Sequence, residues 1–154
     1  MNKIRTYTLL LMTGLVIAGA TAFFIPWGVD LIVNYSPLPK WINQTAWLNY
    51  VLNGVIQIDK EYEFMRYGTD WMAFAHLLFA ILFYGLYKDP IRNKWLVSFG
   101  LIACVAIAPI AIGFGHLRGI PLIWQFLDMA FGVIAGAFLL RIKSLIQSIE
   151  KSTL

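Results

Sequence analysis

Apolar residues run almost without interruption through four stretches of the chain, near 7 to 27, 71 to 87, 95 to 115 and 121 to 140, and polar residues gather between them. At about 1.5 Å of rise per residue, each stretch falls in the roughly 17–25 residues that a helix needs to cross a bilayer. The pattern therefore predicts four transmembrane helices. The first stretch has some marks of a cleaved secretory signal: Lys3 and Arg5 precede a run from Leu9, and Ala18-Gly19-Ala20 has the small-x-small form of a cleavage site. The run continues through Phe23-Phe24-Ile25 to Trp27, so it reads as a retained span.

The links between the spans carry their own signals. In "YKDPIRNK" Pro90 directly follows Asp89, which biases that aspartate away from helix and predicts a short antiparallel connection between the second and third spans. In "GHLRGIP" Gly115 and Gly119 break the third span, and Pro121 suits the first position of the fourth. The remaining segment, 28–70, is the substantial one. Pro37 and Pro39 exclude a continuous helix there, while Trp41, Leu48, Leu52 and Val55 recur at helical spacing opposite Asn43, Gln44 and Asn53. A short amphipathic helix on the outer membrane surface, or capping the bundle, is predicted. With no internal repeat or low-complexity stretch, residues 1–154 read as a single membrane domain. Its expected fold is an all-α antiparallel four-helix transmembrane bundle with an external segment between the first and second spans.

Composition agrees with this class: 60% of the 154 residues are hydrophobic and 13% charged, with a mean hydropathy of +0.71. A soluble domain carries roughly 45–50% apolar and about 25% charged residues. The net charge of +4 comes from lysines and arginines scattered between apolar runs, with no basic stripe, so nucleic acid is not an expected partner. Their positions report orientation instead. Lys3, Arg5, Lys88, Arg92, Lys94, Arg141, Lys143 and Lys151 fall on one side, against Lys40, Lys60, Arg66 and Arg118 on the other. The positive-inside rule then places both termini in the cytoplasm. Trp27, Trp71 and Trp124 fall at the outer interface and Trp95 and Tyr87 at the inner one, where amphipathic rings prefer to lie. The single cysteine, Cys104, excludes an intrachain disulfide and reads as a small packing residue.

Two ionisable residues lie inside the spans. His76 enters the second span about 7–9 Å below its outer boundary on the helical rise, and Asp128, seven residues after Pro121, reaches a similar depth in the fourth. A charge in the hydrocarbon costs about 2.5–3.5 kcal/mol even on insertion scales, so the two invite pairing. Gln125, Asp128, Gly132 and Gly136 share one face of the fourth span, polar at its outer end and small at its inner end, where Gly132-x-x-x-Gly136 admits close approach of another helix. Ala73, His76, Ala80 and Tyr84 line one face of the second, and both faces are expected to look into the bundle. Asp70, His116 and Arg118 lie at the same outer end, with Asp30 after the first span and Pro109 set to kink the third toward it. The expected site is an outward pocket with His76 and Asp128 at its floor, Asp70, His116 and Arg118 at its rim, and Trp71 and Trp124 as walls, with Gln125 beside them. No comparable cluster marks the cytoplasmic end.

Two histidines at different depths make a poor start for a zinc site and do not face each other as paired haem ligands; a haem held by a single histidine stays open, and no cofactor is assigned. GxSxG, P-loop and HExxH motifs are absent, as are the paired broken helices of many transporters. Three readings stand. The leading one is a protein that binds an amphipathic small molecule or membrane lipid headgroup, Arg118 engaging an anionic group while His76 with Asp128 fixes a polar atom. The second is a membrane enzyme using His76 as base, oriented by Asp128, on a lipophilic substrate. The third is an accessory or structural subunit in which His76 and Asp128 form an interhelical clasp worth about 0.6–2 kcal/mol. A homo-oligomer or a partner membrane protein is left open.

The stretches "YGTDWMAFAH", "KDPIRNKW" and "RGIPLIWQFLDMAFGVI" resemble small bacterial inner-membrane proteins with four helices, over roughly residues 67–140. That family carries no established activity, so the resemblance implies fold and a bacterial inner-membrane location. A looser likeness is to the VanZ-like proteins, whose order of an aspartate and histidine opening one helix, then an arginine, an aspartate and glycines, is echoed by Asp70, His76, Arg118, Asp128 and Gly132. The acidic residue and glutamine expected shortly before that arginine are replaced by Gly113 and Gly115.

Overall fold

A computed structural model describes residues 1–35 and 45–152, all of whose regular structure is helical. The helices are α1 (Asn2–Phe23), α2 (Ile25–Tyr35), α3 (Thr45–Glu61), α4 (Arg66–Lys88), α5 (Trp95–Leu117) and α6 (Leu122–Ser152), with a 3-10 turn at Glu63–Met65. Among the described residues four stretches are long and apolar enough to cross a membrane: Asn2–Phe23, Glu63–Lys88, Trp95–Leu117 and Leu122–Ser152. Their outer surfaces remain apolar; Ile102 and Val105 on α5 are 71% and 74% exposed. A helix apolar all round needs a protein core or hydrocarbon around it.

The chain divides into two compact units, Met1–Thr13 with Ala80–Leu154, and Gly14–Phe79. In the first, α5 and α6 form the most extensive helix pair. Three glycines set their spacing. A Cβ on Gly100 would lie 2.7 Å from a Leu139 methyl, one on Gly132 would lie 3.1 Å from the Cys104 carbonyl oxygen, and one on Gly115 would lie 2.8 Å from the Gln125 side chain. As the α5 number rises the α6 number falls, so these two helices run in opposite directions. The pair Gly132 and Gly136 thus admits α5 at Cys104, in the manner of small-xxx-small contacts. Within this unit Ile4, Leu86, Leu96, Leu139 and Ile142 are buried almost completely. Thr8, equally buried, satisfies its hydroxyl by donating to the Ile4 carbonyl at 2.9 Å.

The α4–α5 link is a turn, as Asp89-Pro90 predicts, and its hydrogen bonds are specific. Asp89 Oδ1 accepts from the Arg92 N–H at 3.1 Å, and the Asn93 amide donates to the carbonyls of Gly85 and Asp89, both at 3.0 Å. In the α5–α6 link Gly119 takes a positive φ of 65°, a conformation that glycine adopts at little cost.

In the second unit α1 and α4 meet through small residues. Gly19 and Ala73 are both buried, and a Cβ on Gly19 would sit 2.9 Å from the Ala73 carbonyl oxygen. On α3 Leu48 is buried and Asn53 exposed, which agrees with the expected amphipathic helix over its described part; Pro37, Pro39, Trp41, Asn43 and Gln44 lie outside the described residues.

Several boundaries differ from the hydropathy pattern. The first apolar run is not one helix: α1 ends at Phe23, and α2 begins at Ile25 with Pro26 in its first turn, where a missing N–H costs no helical bond. The stretch 28–70 contains most of α2 and all of α3, and α4 starts at Arg66, five residues ahead of the apolar run. At the other end α6 continues to Ser152, because Leu139, Ile142 and Ile146 keep one buried stripe at helical spacing through the charged residues. The buried face of α4 also departs from expectation: Ala73, Ala80, Phe83 and Leu86 are buried, whereas Tyr84 is exposed and stacks on Tyr87 at 6.0 Å.

Candidate functional site

The polar groups of the second unit converge on Arg66, the first residue of α4. Its Nη1 donates to both carboxylate oxygens of Asp59 at 3.0 and 2.8 Å, and its Nη2 donates to the Phe23 carbonyl at 3.2 Å. The last carbonyls of a helix lack intrahelical partners, and Phe23 ends α1. One planar guanidinium therefore ties the end of α1, the end of α3 and the start of α4 together.

Two clefts adjoin this tie. One, of about 710 Å³, is lined by Asp59, Glu63, Phe64, Arg66, Tyr67 and Asp70. The other, of about 280 Å³, is lined by Phe23, Tyr67, Asp70, Trp71 and Phe74. Tyr67 and Asp70 belong to both, so an acidic and an aromatic surface share a wall. The wall follows from helical spacing: Tyr67, Trp71 and Phe74 recur at four and three residues along α4, and their rings meet edge to face at 5.9 and 5.8 Å. Arg66 neutralises Asp59. Among the described residues no cation pairs with Glu63 or Asp70, which leaves the shared wall with an excess of negative charge.

Of the residues singled out from the sequence, Asp70 and Trp71 lie in this wall. His76, one turn further along α4, is half-buried, packs its Cβ toward Gly19 and places Nδ1 2.8 Å from the Met72 carbonyl oxygen. Since a carbonyl only accepts, Nδ1 carries the proton in the neutral ring and Nε2 is the acceptor.

The other candidates belong to the first unit. His116 is exposed in the last turn of α5, and Arg118, also exposed, follows as its C-cap. Gln125 is 3% exposed, and its amide donates to the Ile120 carbonyl at 2.7 Å, so it closes the α5–α6 link. Trp124 is half-buried, and its indole N–H is buried without a hydrogen bond among the described residues. Asp128 is exposed on α6. Among the described residues no group of three or more His, Cys, Asp or Glu could hold a metal ion.

Arg66, Tyr67 and Phe23 were not singled out from the sequence. The acidic run 59–63 reads as a solvated face, and nothing in the spacing of Asp59 and Arg66 announces their pairing across a helix end. The four-and-three recurrence of Tyr67, Trp71 and Phe74 was the available signal.

No protein-family model, curated protein or solved structure matches the chain. Over the described residues, fold and site define an all-helical protein with four helices long and apolar enough to span a membrane, bearing an acid-and-aromatic cleft at the start of one of them.

Proposed function

We propose that the chain is an integral protein of a bacterial inner membrane, with both termini cytoplasmic, that binds an amphipathic small molecule or lipid headgroup at the outer end of α4. The observation that carries this reading is the wall shared by the two clefts, where Tyr67 and Asp70 join a carboxylate surface to an aromatic one. An amphiphile lying across that wall places its apolar part on Phe23, Trp71 and Phe74 and its polar head beside Asp70 and Glu63. Because Arg66 is already occupied by Asp59, the head favoured is an ammonium rather than an anion. Carboxylates attract its charge, and the faces of Tyr67 and Trp71 add cation–π attraction of about 0.5–2 kcal/mol. This moves the recognition of the head from Arg118, as the sequence leads one to expect, to Asp70.

Native mass spectrometry of the detergent-purified protein tests it, with wild type compared with Asp70→Asn, with Trp71→Ala, and with His76→Ala combined with Asp128→Asn. The expected result is a co-purifying amphiphile that Asp70→Asn and Trp71→Ala each lose and the double variant retains. Retention by the first two variants rejects the α4 cleft.

One observation favours a second reading, a membrane enzyme with His76 as base: the Met72 carbonyl holds Nδ1, the arrangement that leaves Nε2 ready to accept a proton. A ligand lost in the His76→Ala and Asp128→Asn double variant but kept by Asp70→Asn and Trp71→Ala supports that alternative.

A further inference from the structure

In the first unit a cleft of about 330 Å³ opens between the first turn of α5 and the last turns of α6, with Lys94, Trp95, Ser98, Lys143, Gln147 and Glu150 around it. That volume lies in the range of about 300–1,000 Å³ that small-molecule sites occupy. Its polar groups are unbalanced. The one carboxylate, Glu150, accepts from Lys94 Nζ at 2.7 Å and is thereby neutralised. Lys143 is exposed and has no ion pair among the described residues. The Ser98 hydroxyl and the Trp95 indole N–H likewise make no hydrogen bond among the described residues. Donors are therefore left over beside a carboxylate whose charge is already balanced.

The start of α5 adds no free donor, since its Leu96 and Val97 N–H groups already donate to the Asn93 and Lys94 carbonyls at 3.0 and 3.1 Å. Beneath the polar rim the floor is apolar, formed by Val97 and Ile146, 2% and 3% exposed. A free inorganic anion gains nothing from the exposed apolar ring of Trp95 at this rim, whereas the glycerol and first methylenes of a lipid do. Trp95, 55% exposed at the start of a span, is placed as interfacial tryptophans are.

We infer that this cleft seats the phosphate of an acidic membrane phospholipid. Lys143 supplies the charge, Ser98 and Trp95 donate to phosphate oxygens, and the Lys94–Glu150 pair holds α5 and α6 at the spacing the headgroup needs. Arg141 is the internal control: it lies on the same helix with the same charge and is not among the residues around the cleft.

The test is native mass spectrometry of the full chain in neutral detergent, titrated with phosphatidylglycerol and with phosphatidylcholine of the same acyl chains, and with inorganic phosphate as competitor. Wild type is expected to bind phosphatidylglycerol in preference. Lys143→Gln is expected to lower that binding about fivefold, the factor that one lysine near an anionic lipid surface represents. Arg141→Gln is expected to leave it unchanged. Ser98→Ala, which removes a donor without altering charge, is expected to weaken it as well and serves if Lys143→Gln does not fold. Equal binding of the two lipids, or equal losses in Lys143→Gln and Arg141→Gln, overturns the inference in favour of a diffuse basic collar. Displacement of the lipid by millimolar inorganic phosphate overturns it in favour of a free-anion site.

Discussion

Gly19 and Ala73 mark the place where the backbones of α1 and α4 touch: a Cβ on the glycine would stand 2.9 Å from the alanine's carbonyl oxygen. Backbone cannot rotate away as a side-chain tip can, so the contact tolerates no added atom. Gly19→Ala is expected to lower stability by about 1–3 kcal/mol, the usual penalty for overpacking. Gly14→Ala is the control on the same helix, since a Cβ there meets nothing within 4 Å. It should be neutral or raise stability by about 0.5–1 kcal/mol through helix propensity. Thermal unfolding in detergent, followed by circular dichroism, separates the two; equal melting temperatures for both variants would contradict the contact.

The Arg66–Asp59 pair is partly exposed, at 26% and 35% of the side chains, so its coupling energy is expected to be about 1 kcal/mol or less. The geometric role is larger than the charge. Arg66→Lys keeps the charge but cannot donate in parallel to Asp59 while also reaching the Phe23 carbonyl. Hydrogen exchange should therefore rise at the start of α2 in Arg66→Lys and stay near wild type in Asp59→Asn, where the Phe23 bond survives.

Gln125 and Gly115 should act as a unit. Gln125→Leu leaves the Ile120 carbonyl without its donor, at a cost of about 1–3 kcal/mol. Gly115→Ala destabilises by pressing on the Gln125 side chain, 2.8 Å from the added atom. Combined with Gln125→Ala, the same Gly115→Ala has nothing to press on. A double-mutant cycle on melting free energies is expected to show clear non-additivity, and additive losses would place the two residues outside one another's influence.

Asn93 supports the α4–α5 turn through two donated bonds. Asn93→Ala removes them, while Asn93→Asp also sets a carboxylate against two carbonyl oxygens. The expected order of stability is wild type, then Ala, then Asp, with the Asp variant recovering as acid protonates the new group. Unfolding at neutral and acid pH checks both the order and the sign.

The number of apolar spans, the Asp89-Pro90 turn and the Gly132–Gly136 approach were all readable from the sequence, because each rests on local pattern. Helix ends were not. Hydropathy stops at Arg141, but a backbone helix does not stop at a charge when Ile142 and Ile146 keep its buried stripe intact. For the site, Asp70 and Trp71 were legible as polar and aromatic residues at a span's entrance. Arg66 was hidden because its meaning comes from the Phe23 carbonyl, 43 positions away, which no spacing rule relates to it. Gln125, read as a ligand-binding residue, is engaged by Ile120 five positions earlier, a bond that exists only once the link has folded.

α6 is an unbroken helix of 31 residues, about 46 Å long at 1.5 Å per residue. That is longer than a hydrocarbon slab of about 30 Å, and the part beyond its apolar stretch carries Arg141, Lys143 and Lys151. In the membrane proposed for it, the helix answers a bilayer thinner than its apolar stretch by leaning, and a stiff overhang is lifted or lowered as it leans. In that proposed membrane, the depth of Lys143 is thus geared to bilayer thickness by the stiffness of one helix.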